Sequence, residues 1–333
     1  MSSGMDLRPV GGQGMESAPV ILGCMGMSGT YGARDDKESV ATIQQAIELG
    51  VNVLDTADFY GSGHNELLIR EAIRGRRDKV ALSVKFGGMR NHDGAFVGHD
   101  ARPAAIRNYL TYSLVRLGVD EIDFYFPGRV VPDVPIEEVV GTLGELVGEG
   151  KVRYVGLSEA SAATIEKAHR VFPITALQTE YSLFTRDIEA EILPTTRRLG
   201  IGLLSYAAFS RGLFAQPPAP GQDFSQGYDI RHRMPRFQGE NLTRNLALAQ
   251  RLEAFARKKG CSLPQLSLAW VLAQGPDVFA VCGTSRRAHL EENVGAADLA
   301  LTREEIEALN ALVPRGAVAG ERYSPALLAL TNR

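Results

Sequence analysis

The sequence predicts a (β/α)8 barrel, in which eight parallel strands form a closed ring surrounded by helices. Short apolar runs typical of buried strands alternate with helical segments at a spacing of roughly 30 residues. Strand, helix and strand in this order form right-handed units, and eight of them close into one barrel. The chain has 333 residues, a length that suits one barrel, so a single domain is expected over residues 1–333.

Eight runs of β-type residues are expected to form the ring, and each run is short and largely apolar. Parallel strands that are covered on both faces have this composition, because neither face meets water. The expected strands are 20–22, 51–54, 80–84, 122–126, 152–157, 174–177, 201–205 and 278–281.

Helices are expected between the strands, because the intervening segments begin and end with residues typical of helix termini. Acidic side chains or proline stand at their starts, and glycine follows several of their ends. Serine and threonine supply N-terminal caps in the later segments. The expected helices are 36–49, 103–117, 135–147 and one from Ser161 to His169, followed by a late helix capped at Thr302.

Two segments outside the repeating pattern have their own predicted roles. Residues 1–19 precede the first barrel strand, and 7–19 are typical of a short hairpin that closes the bottom of the barrel. The longest irregular segment, 209–240, is rich in proline and polar residues. Loops of this length are functional lids or linkers, and its position after the seventh strand favours a lid.

Composition and charge exclude several classes of protein. Hydrophobic residues make up 44% and charged residues 23% of the chain, and the net charge is −3. This balance gives no electrostatic reason to expect a nucleic acid or an anionic membrane as partner. The three cysteines contain no CxxC pair, which argues against a disulfide scaffold or a metal site. No secretory or membrane-spanning pattern is evident, so a soluble cytoplasmic protein is expected, with no prediction of its oligomeric state.

Polar side chains follow five of the predicted strands directly: Asp55, Lys85, Ser158, Gln178 and Tyr206. Taken singly, an aspartate at a strand end is commonly a turn residue, and a lone lysine is commonly solvated. The carboxyl ends of all the strands meet at one face of a barrel, where active sites of this fold lie. The sequence therefore predicts an active site at this face.

Motifs along nearly the whole chain resemble the aldo-keto reductase family. Residues 50–61, GVNVLDTADFYG, resemble its signature, and 84–87, VKFG, resemble the strand of its catalytic lysine. Residues 23–28, 151–160 and 283–294 resemble its first strand, its fifth strand and the nucleotide motif after its eighth strand. The resemblance is to the subgroup of bacterial, fungal and plant members that also includes potassium-channel β-subunits.

The resemblance implies that NADPH transfers hydride to the carbonyl carbon of a small-molecule substrate, and that Tyr60 donates the proton. A phenol has an ordinary pKa of about 10, so a cation that favours phenolate would help it act as an acid near neutrality. Lys85 can supply that cation, and Asp55 can hold Lys85 in place. The alternative is a purely structural Asp–Lys pair beneath a tyrosine.

The resemblance also implies a set of cofactor-binding residues. An arginine at the adenosine 2′-phosphate would favour NADPH over NADH; Arg286 and Arg287 are both candidates, and Arg287 is equally well explained as a solvated cation. Glu159 stands where part of the family has asparagine, which leaves its contact open. The implied residues are Met25, Asp55, Ser158, Gln178, Tyr206, Phe209, Arg211, Gly212, Gly283, Ser285, Arg286, His289, Glu292 and Asn293.

The sequence departs from the family pattern at Gly128, where members usually carry a histidine that orients the carbonyl oxygen. His64 and His99 are near in sequence, but neither matches that position. Three consequences are open. The enzyme reduces carbonyls with Tyr60 as the sole acid; or the vacated space admits a bulky substrate, an imine or a conjugated C=C bond; or the protein only binds NADPH, as a sensor or partner subunit.

A substrate pocket is predicted around Gly128. Phe59, Phe86 and Phe126 lie near the expected site in sequence and indicate an apolar lining. The same three side chains are equally typical of a barrel core, and the sequence leaves that alternative open.

Overall fold

The fold is known from a computed structural model that describes residues 5–219, 222, 224 and 229–332. Its strands, in chain order, are β1 (Arg8–Val10), β2 (Met15–Ser17), β3 (Val20–Gly23), β4 (Val53–Ala57), β5 (Ala81–Phe86), β6 (Gly88–Arg90), β7 (Phe96–His99), β8 (Ile122–Pro127), β9 (Val152–Ser158), β10 (Ala176–Glu180), β11 (Gly202–Tyr206) and β12 (Val278–Gly283).

The helices complete the repeating units. In chain order they are α1 (Asp36–Glu48), α2 (His64–Ala72), α3 (Pro103–Leu117), α4 (Ile136–Gly148), α5 (Ala162–Val171), α6 (Ile192–Arg198), α7 (Gly239–Lys259), α8 (Leu263–Leu272), α9 (Arg287–Val294), α10 (Arg303–Leu312) and α11 (Pro325–Leu328).

Eight parallel strands close into a barrel in the order β3, β4, β5, β8, β9, β10, β11 and β12, and β12 pairs back onto β3. The predicted (β/α)8 barrel is therefore confirmed. The strand bounds shift by a few residues from the prediction, most at β4 and β10, which each begin two residues later and end three residues later than expected; β10 continues to Glu180. This shift brings Gln178 inside the strand rather than after it.

The predicted N-terminal hairpin is also confirmed. Strands β1 and β2 pair antiparallel, and Val10 and Met15 join the buried cluster of side chains inside the barrel. The hairpin lies so close to β11 that a Cβ atom on Gly202 would come within 2.8 Å of the Val10 side chain. A second antiparallel hairpin, β6 with β7, follows β5 and was not predicted, because its short, partly exposed strands lack an apolar run.

Helix termini follow the chemistry expected from the sequence. The Asp35 carboxylate accepts from the amide of Glu38 at the start of α1, and the Ser161 hydroxyl accepts from the amide of Thr164 at the start of α5. Thr302 and Glu305 form the predicted capping box of α10. These caps fix where each helix begins, and hence the length of each loop above the barrel.

The segment 209–240 contains short 3₁₀ turns at Ser210–Gly212, Ile230–Arg233 and Pro235–Phe237. Residues 220, 221, 223 and 225–228 of the predicted lid lie outside the described residues. In the part of the chain that the structure describes, no helix is long and apolar enough to cross a membrane.

Candidate active site

A cavity of about 430 Å³ lies at the carboxyl ends of the barrel strands. Asp55, Tyr60 and Lys85 line it together, so the three predicted catalytic side chains share one site. Every predicted cofactor residue lines the same cavity: Met25, Asp55, Ser158, Gln178, Tyr206, Phe209, Arg211, Gly212, Gly283, Ser285, Arg286, His289, Glu292 and Asn293.

Asp55 is the centre of a buried hydrogen-bond network. Its Oδ2 accepts from Lys85 Nζ at 2.7 Å, and its Oδ1 accepts from Ser83 Oγ at 2.8 Å and from Gln178 Nε2 at 2.7 Å. These donors lie on β5 and β10, so the closure of the barrel brings them to β4. With both oxygens engaged, the Asp55 carboxylate holds Lys85 in one position beneath the cavity.

The Lys85 ammonium is the cation that the sequence predicted beside the Tyr60 phenol, and its Nζ lies 5.3 Å from the centre of the ring. Burial acts to lower the pKa of Lys85, but Asp55 and Tyr60 outweigh burial and the net pKa is raised, so Lys85 is charged. Burial raises the pKa of Tyr60, and Lys85 opposes that rise only in part. Tyr60 is therefore a protonated donor at neutral pH, and Lys85 does not bring its pKa below the ordinary value.

The loop that carries Tyr60 is held by contacts beneath it. Gly61 and Ser62 both have left-handed backbone, with φ of 56° and 55°. His64 shares a hydrogen bond with Ser28 Oγ through Nδ1 at 3.0 Å and contacts Asp36 through Nε2 at 3.1 Å. Both ring nitrogens of His64 thus have partners, on Ser28 and on α1, and His64 does not line the cavity.

Several buried polar atoms in the cavity have no hydrogen-bond partner among the described residues. Ser158 Oγ and Arg211 Nε are of this kind. Ser210 Oγ, on the residue before Arg211, is also buried without a partner, although Ser210 does not line the cavity. A buried donor without a partner is costly, so such atoms indicate a ligand that supplies the missing bonds. Hydroxyls and a guanidinium are suited to the amide and phosphate groups of a dinucleotide, and the residues therefore fit the predicted cofactor.

The two adjacent arginines of the nucleotide motif have different surroundings. Arg286 lines the cavity. Arg287 is exposed and donates to the Glu38 carboxylate, with an Nη2–Oε2 distance of 3.2 Å. Of the two candidates for the 2′-phosphate, only Arg286 lines the cavity. Arg287 is a solvated surface cation, which is the other explanation that the sequence offered for it.

Glu159, whose contact the sequence left open, is the centre of a buried ionic cluster. Its carboxylate accepts from both terminal nitrogens of Arg322, from the Tyr206 hydroxyl at 2.7 Å and from the Glu180 amide at 2.9 Å. Burial acts to raise its pKa, yet Arg322 and the other donors outweigh burial and lower it to about 2. Glu159 therefore fixes the Tyr206 hydroxyl, and it does not itself line the cavity.

Residues from the C-terminal segment complete this cluster, and sequence reasoning missed them. Tyr323 lines the cavity, and its hydroxyl contacts Tyr206 Oη at 2.9 Å and accepts from Arg211 Nη2 at 2.7 Å. Arg322 and Tyr323 follow the end of α10 in a stretch without a strand or motif. The sequence marks them only as an arginine beside a tyrosine in the C-terminal segment, which does not indicate that they reach the cavity.

The residues of the predicted substrate pocket around Gly128 do not all line the cavity. Phe59 lines the cavity, but Gly128, Phe86 and Phe126 do not. Phe86 stacks on Tyr125 with ring centres 4.4 Å apart, and Phe126 is buried inside the barrel. Side chains on a strand alternate between faces, so Phe86 faces away from the side that its neighbour Lys85 faces. Phe126 faces the barrel interior with Phe124, but it packs in the buried cluster there and does not line the cavity.

Phe59 fills the space beside Gly128. A Cβ atom on Gly128 would lie 3.1 Å from Phe59 Cε1, and one on Gly88 would lie 2.6 Å from Phe59 Cδ1. The ring thus rests against two glycines: a side chain at Gly88 would clash with it, and a side chain at Gly128 would require the ring to shift. The Phe59 ring therefore limits the open space that the sequence suggested at Gly128.

Gly128→His is expected to lower the free energy of unfolding by about 1–3 kcal/mol, because the new ring must displace Phe59. Urea denaturation of Gly128→His, Phe59→Ala and the double variant measures this conflict as a coupling energy. Gly141→His on α4 is the control and should cause no such loss, because a Cβ atom there would meet no described atom within 4 Å. If the losses in unfolding free energy of Gly128→His and Phe59→Ala simply added in the double variant, the contact between Phe59 and position 128 would be contradicted.

Comparison with known proteins gives one consistent assignment. A model of the aldo/keto reductase family matches residues 19–314. The glycerol dehydrogenase AKR11B4 from Gluconobacter oxydans has a similar structure, with a TM-score of 0.85 and 30% identity over 96% of this chain and 98% of that chain. Aldo-keto reductase AKR11C1 from Bacillus halodurans, in its holo form, has a TM-score of 0.77 and 28% identity, over 96% of this chain and 99% of that chain.

An aldo/keto reductase from Klebsiella pneumoniae in complex with NADP and acetate gives a TM-score of 0.73 and 25% identity, over 95% of this chain and 98% of that chain. The family match spans the barrel from β3 through α10, and the similar structures cover nearly the full length of both partners. The chain belongs to the aldo/keto reductase family, as its motifs predict.

Proposed function

We propose that the protein is an NADPH-dependent oxidoreductase that reduces a small-molecule carbonyl compound, with Tyr60 as the proton donor. The observation that carries the proposal is the buried Asp55–Lys85 pair at 2.7 Å beneath Tyr60, in the same cavity as unpartnered Ser158 and Arg211 groups. NADPH, when bound, supplies hydride to the carbonyl carbon. A related reductase from Klebsiella pneumoniae is described in complex with NADPH, which supports the choice of cofactor.

Tyr60 gives its proton to the carbonyl oxygen as negative charge develops there. The adjacent Lys85 cation stabilises the phenolate that remains, because unlike charges attract strongly where water is excluded. Asp55 keeps Lys85 charged and positioned, and Ser83 and Gln178 in turn fix the Asp55 carboxylate. Each residue thus either moves the proton or holds the next residue in place.

The remaining cavity residues divide by the part of the cofactor that they suit. Ser158 and Gln178 would hold the carboxamide, and the Tyr206 ring would lie against the nicotinamide. Arg211, in the loop with Phe209 and Gly212, would neutralise the pyrophosphate, and the rest of that loop would cover it. Arg286 would bind the 2′-phosphate, and the α9 side chains would contact the adenosine: His289, Glu292 and Asn293.

NADPH oxidation by the purified protein, measured against aldehydes, ketones, quinones and cyclic imines, tests the proposal. Turnover on aldehydes or ketones supports it. Turnover confined to imines or conjugated C=C bonds would select that alternative reaction. The Phe59 ring beside Gly128 limits the open space on which that alternative depends. Tight NADPH binding without turnover on any acceptor would overturn the proposal and leave a cofactor-binding sensor or partner subunit.

A further inference from the structure

Arg129 lines the cavity next to Gly128, and it has no acidic partner among the described residues. Its Nη1 donates to the carbonyl oxygen of Gly128 at 2.7 Å, and no described residue accepts from its other nitrogens. Three other arginines at this end of the barrel differ from Arg129. Arg211, Arg236 and Arg322 each lie within 3.6 Å of the Glu180 carboxylate.

A guanidinium carries five N–H donors, so a single carbonyl contact leaves most of the capacity of Arg129 unused. Burial acts to lower its pKa, but Tyr323, Tyr206 and the more distant charge of Glu159 outweigh burial and the net pKa is raised, so the group is charged. A half-buried cation without a counter-ion is unfavourable unless a ligand supplies the missing charge. The unpaired edge of Arg129, with Nε and Nη2, matches the two oxygens of a planar carboxylate.

The acidic groups described near Arg129 do not repel such an anion. The Asp55 charge is neutralised by Lys85 and the Glu159 charge by Arg322. Arg129, the proton donor Tyr60 and the ring of Phe59 line the same cavity. The charge of Arg129 acts to lower the pKa values of both Tyr60 and His99. His99 stays neutral, because burial and Arg129 lower its pKa to about 4.

We propose that Arg129 binds a carboxylate on the substrate, and that the preferred substrates are aldehydes or ketones that carry a carboxylate. This inference rests on the proposed carbonyl reduction. The carboxylate is unchanged in the reaction: hydride from NADPH adds to the carbonyl carbon, and the Tyr60 proton adds to its oxygen. A substrate anchored in this way reaches Tyr60 without the histidine that Gly128 replaces.

A series of carboxylated aldehydes, from glyoxylate to 4-carboxybenzaldehyde, and their methyl esters tests the inference with NADPH. The wild type is expected to prefer the acids. Arg129→Gln should lower kcat/KM for the acids about 100-fold, mainly through a higher KM. The same substitution should change kcat/KM for the esters less than about threefold. Arg129→Lys should restore part of the preference. Arg303→Gln, which removes an exposed cation on α10, is the matched control and should leave kcat/KM unchanged for both acids and esters.

An equal loss on acids and esters in Arg129→Gln would overturn the inference, since it would indicate general support of the reaction or the fold. A preference for phosphorylated over carboxylated aldehydes would overturn the choice of carboxylate. Calorimetric titration of the NADPH complex with terephthalate and its dimethyl ester measures the site without turnover. Wild-type binding of the acid that Arg129→Gln abolishes would support the inference even if carbonyl reduction failed, and equal binding by both proteins would contradict it.

Discussion

Tyr60→Phe is expected to lower kcat for carbonyl reduction by about 10²- to 10⁴-fold, because the variant keeps the aromatic ring and loses the proton that the site offers the oxygen. The Lys85–Asp55 pair lies beneath the ring and does not depend on the hydroxyl to form. The dissociation constant for NADPH should therefore change little. Steady-state kinetics and a fluorescence titration with NADPH measure the two quantities separately.

Tyr112→Phe is the matched control, since it removes a hydroxyl from an exposed tyrosine on α3 and should leave kcat unchanged. Full turnover by Tyr60→Phe would contradict the assignment of the proton donor. A loss of NADPH binding that equals the loss of kcat would assign Tyr60 to the cofactor site instead.

Arg322→Met is expected to lower the free energy of unfolding by about 3–5 kcal/mol, because it leaves the buried Glu159 carboxylate without its main counter-ion. Glu159 and Arg322 are both buried, and the arginine contacts the carboxylate through two nitrogens. Arg303→Met, which breaks an exposed pair with Glu307, is the control and should cost only about 0.3–0.5 kcal/mol. Urea denaturation at neutral pH compares the two variants.

The pH dependence of the same variant provides an independent check. In the wild type the pKa of Glu159 is lowered to about 2, so its contribution to stability is present above its ordinary pKa and is lost as pH falls towards 2. In Arg322→Met, burial is no longer offset and should raise that pKa, so acid protonates the carboxyl and relieves the buried charge. The stability gap between variant and wild type should narrow from about pH 7 to about pH 4, and a constant gap would contradict this account.

The sequence was most informative where local pattern and overall topology coincide. Short apolar runs identify the barrel strands, and a residue that directly follows such a run must lie at the carboxyl face. Asp55, Lys85, Ser158 and Tyr206 are therefore brought to one cavity by a rule that needs no knowledge of side-chain packing. The helix caps at the starts of α5 and α10 follow from equally local chemistry.

Contacts between distant parts of the chain were not predictable in this way. Arg322 and Tyr323 reach Glu159 and Tyr206 from a C-terminal segment that carries no periodic pattern. The direction that a ring faces also depends on packing. The Phe59 ring lies beside Gly128 because two glycines leave room for it, and no local signal distinguishes that ring from the buried rings of the barrel core.

The transfer of label from NADPH that carries deuterium at C4 of the nicotinamide ring tests the central claim most directly. The product of an aldehyde that the wild type consumes is analysed by mass spectrometry. The account predicts an alcohol with deuterium on the carbon that bears the new hydroxyl, at a rate that falls in Tyr60→Phe. Aldehyde consumption without deuterium on that carbon, or no labelled product despite saturated NADPH binding, would contradict it.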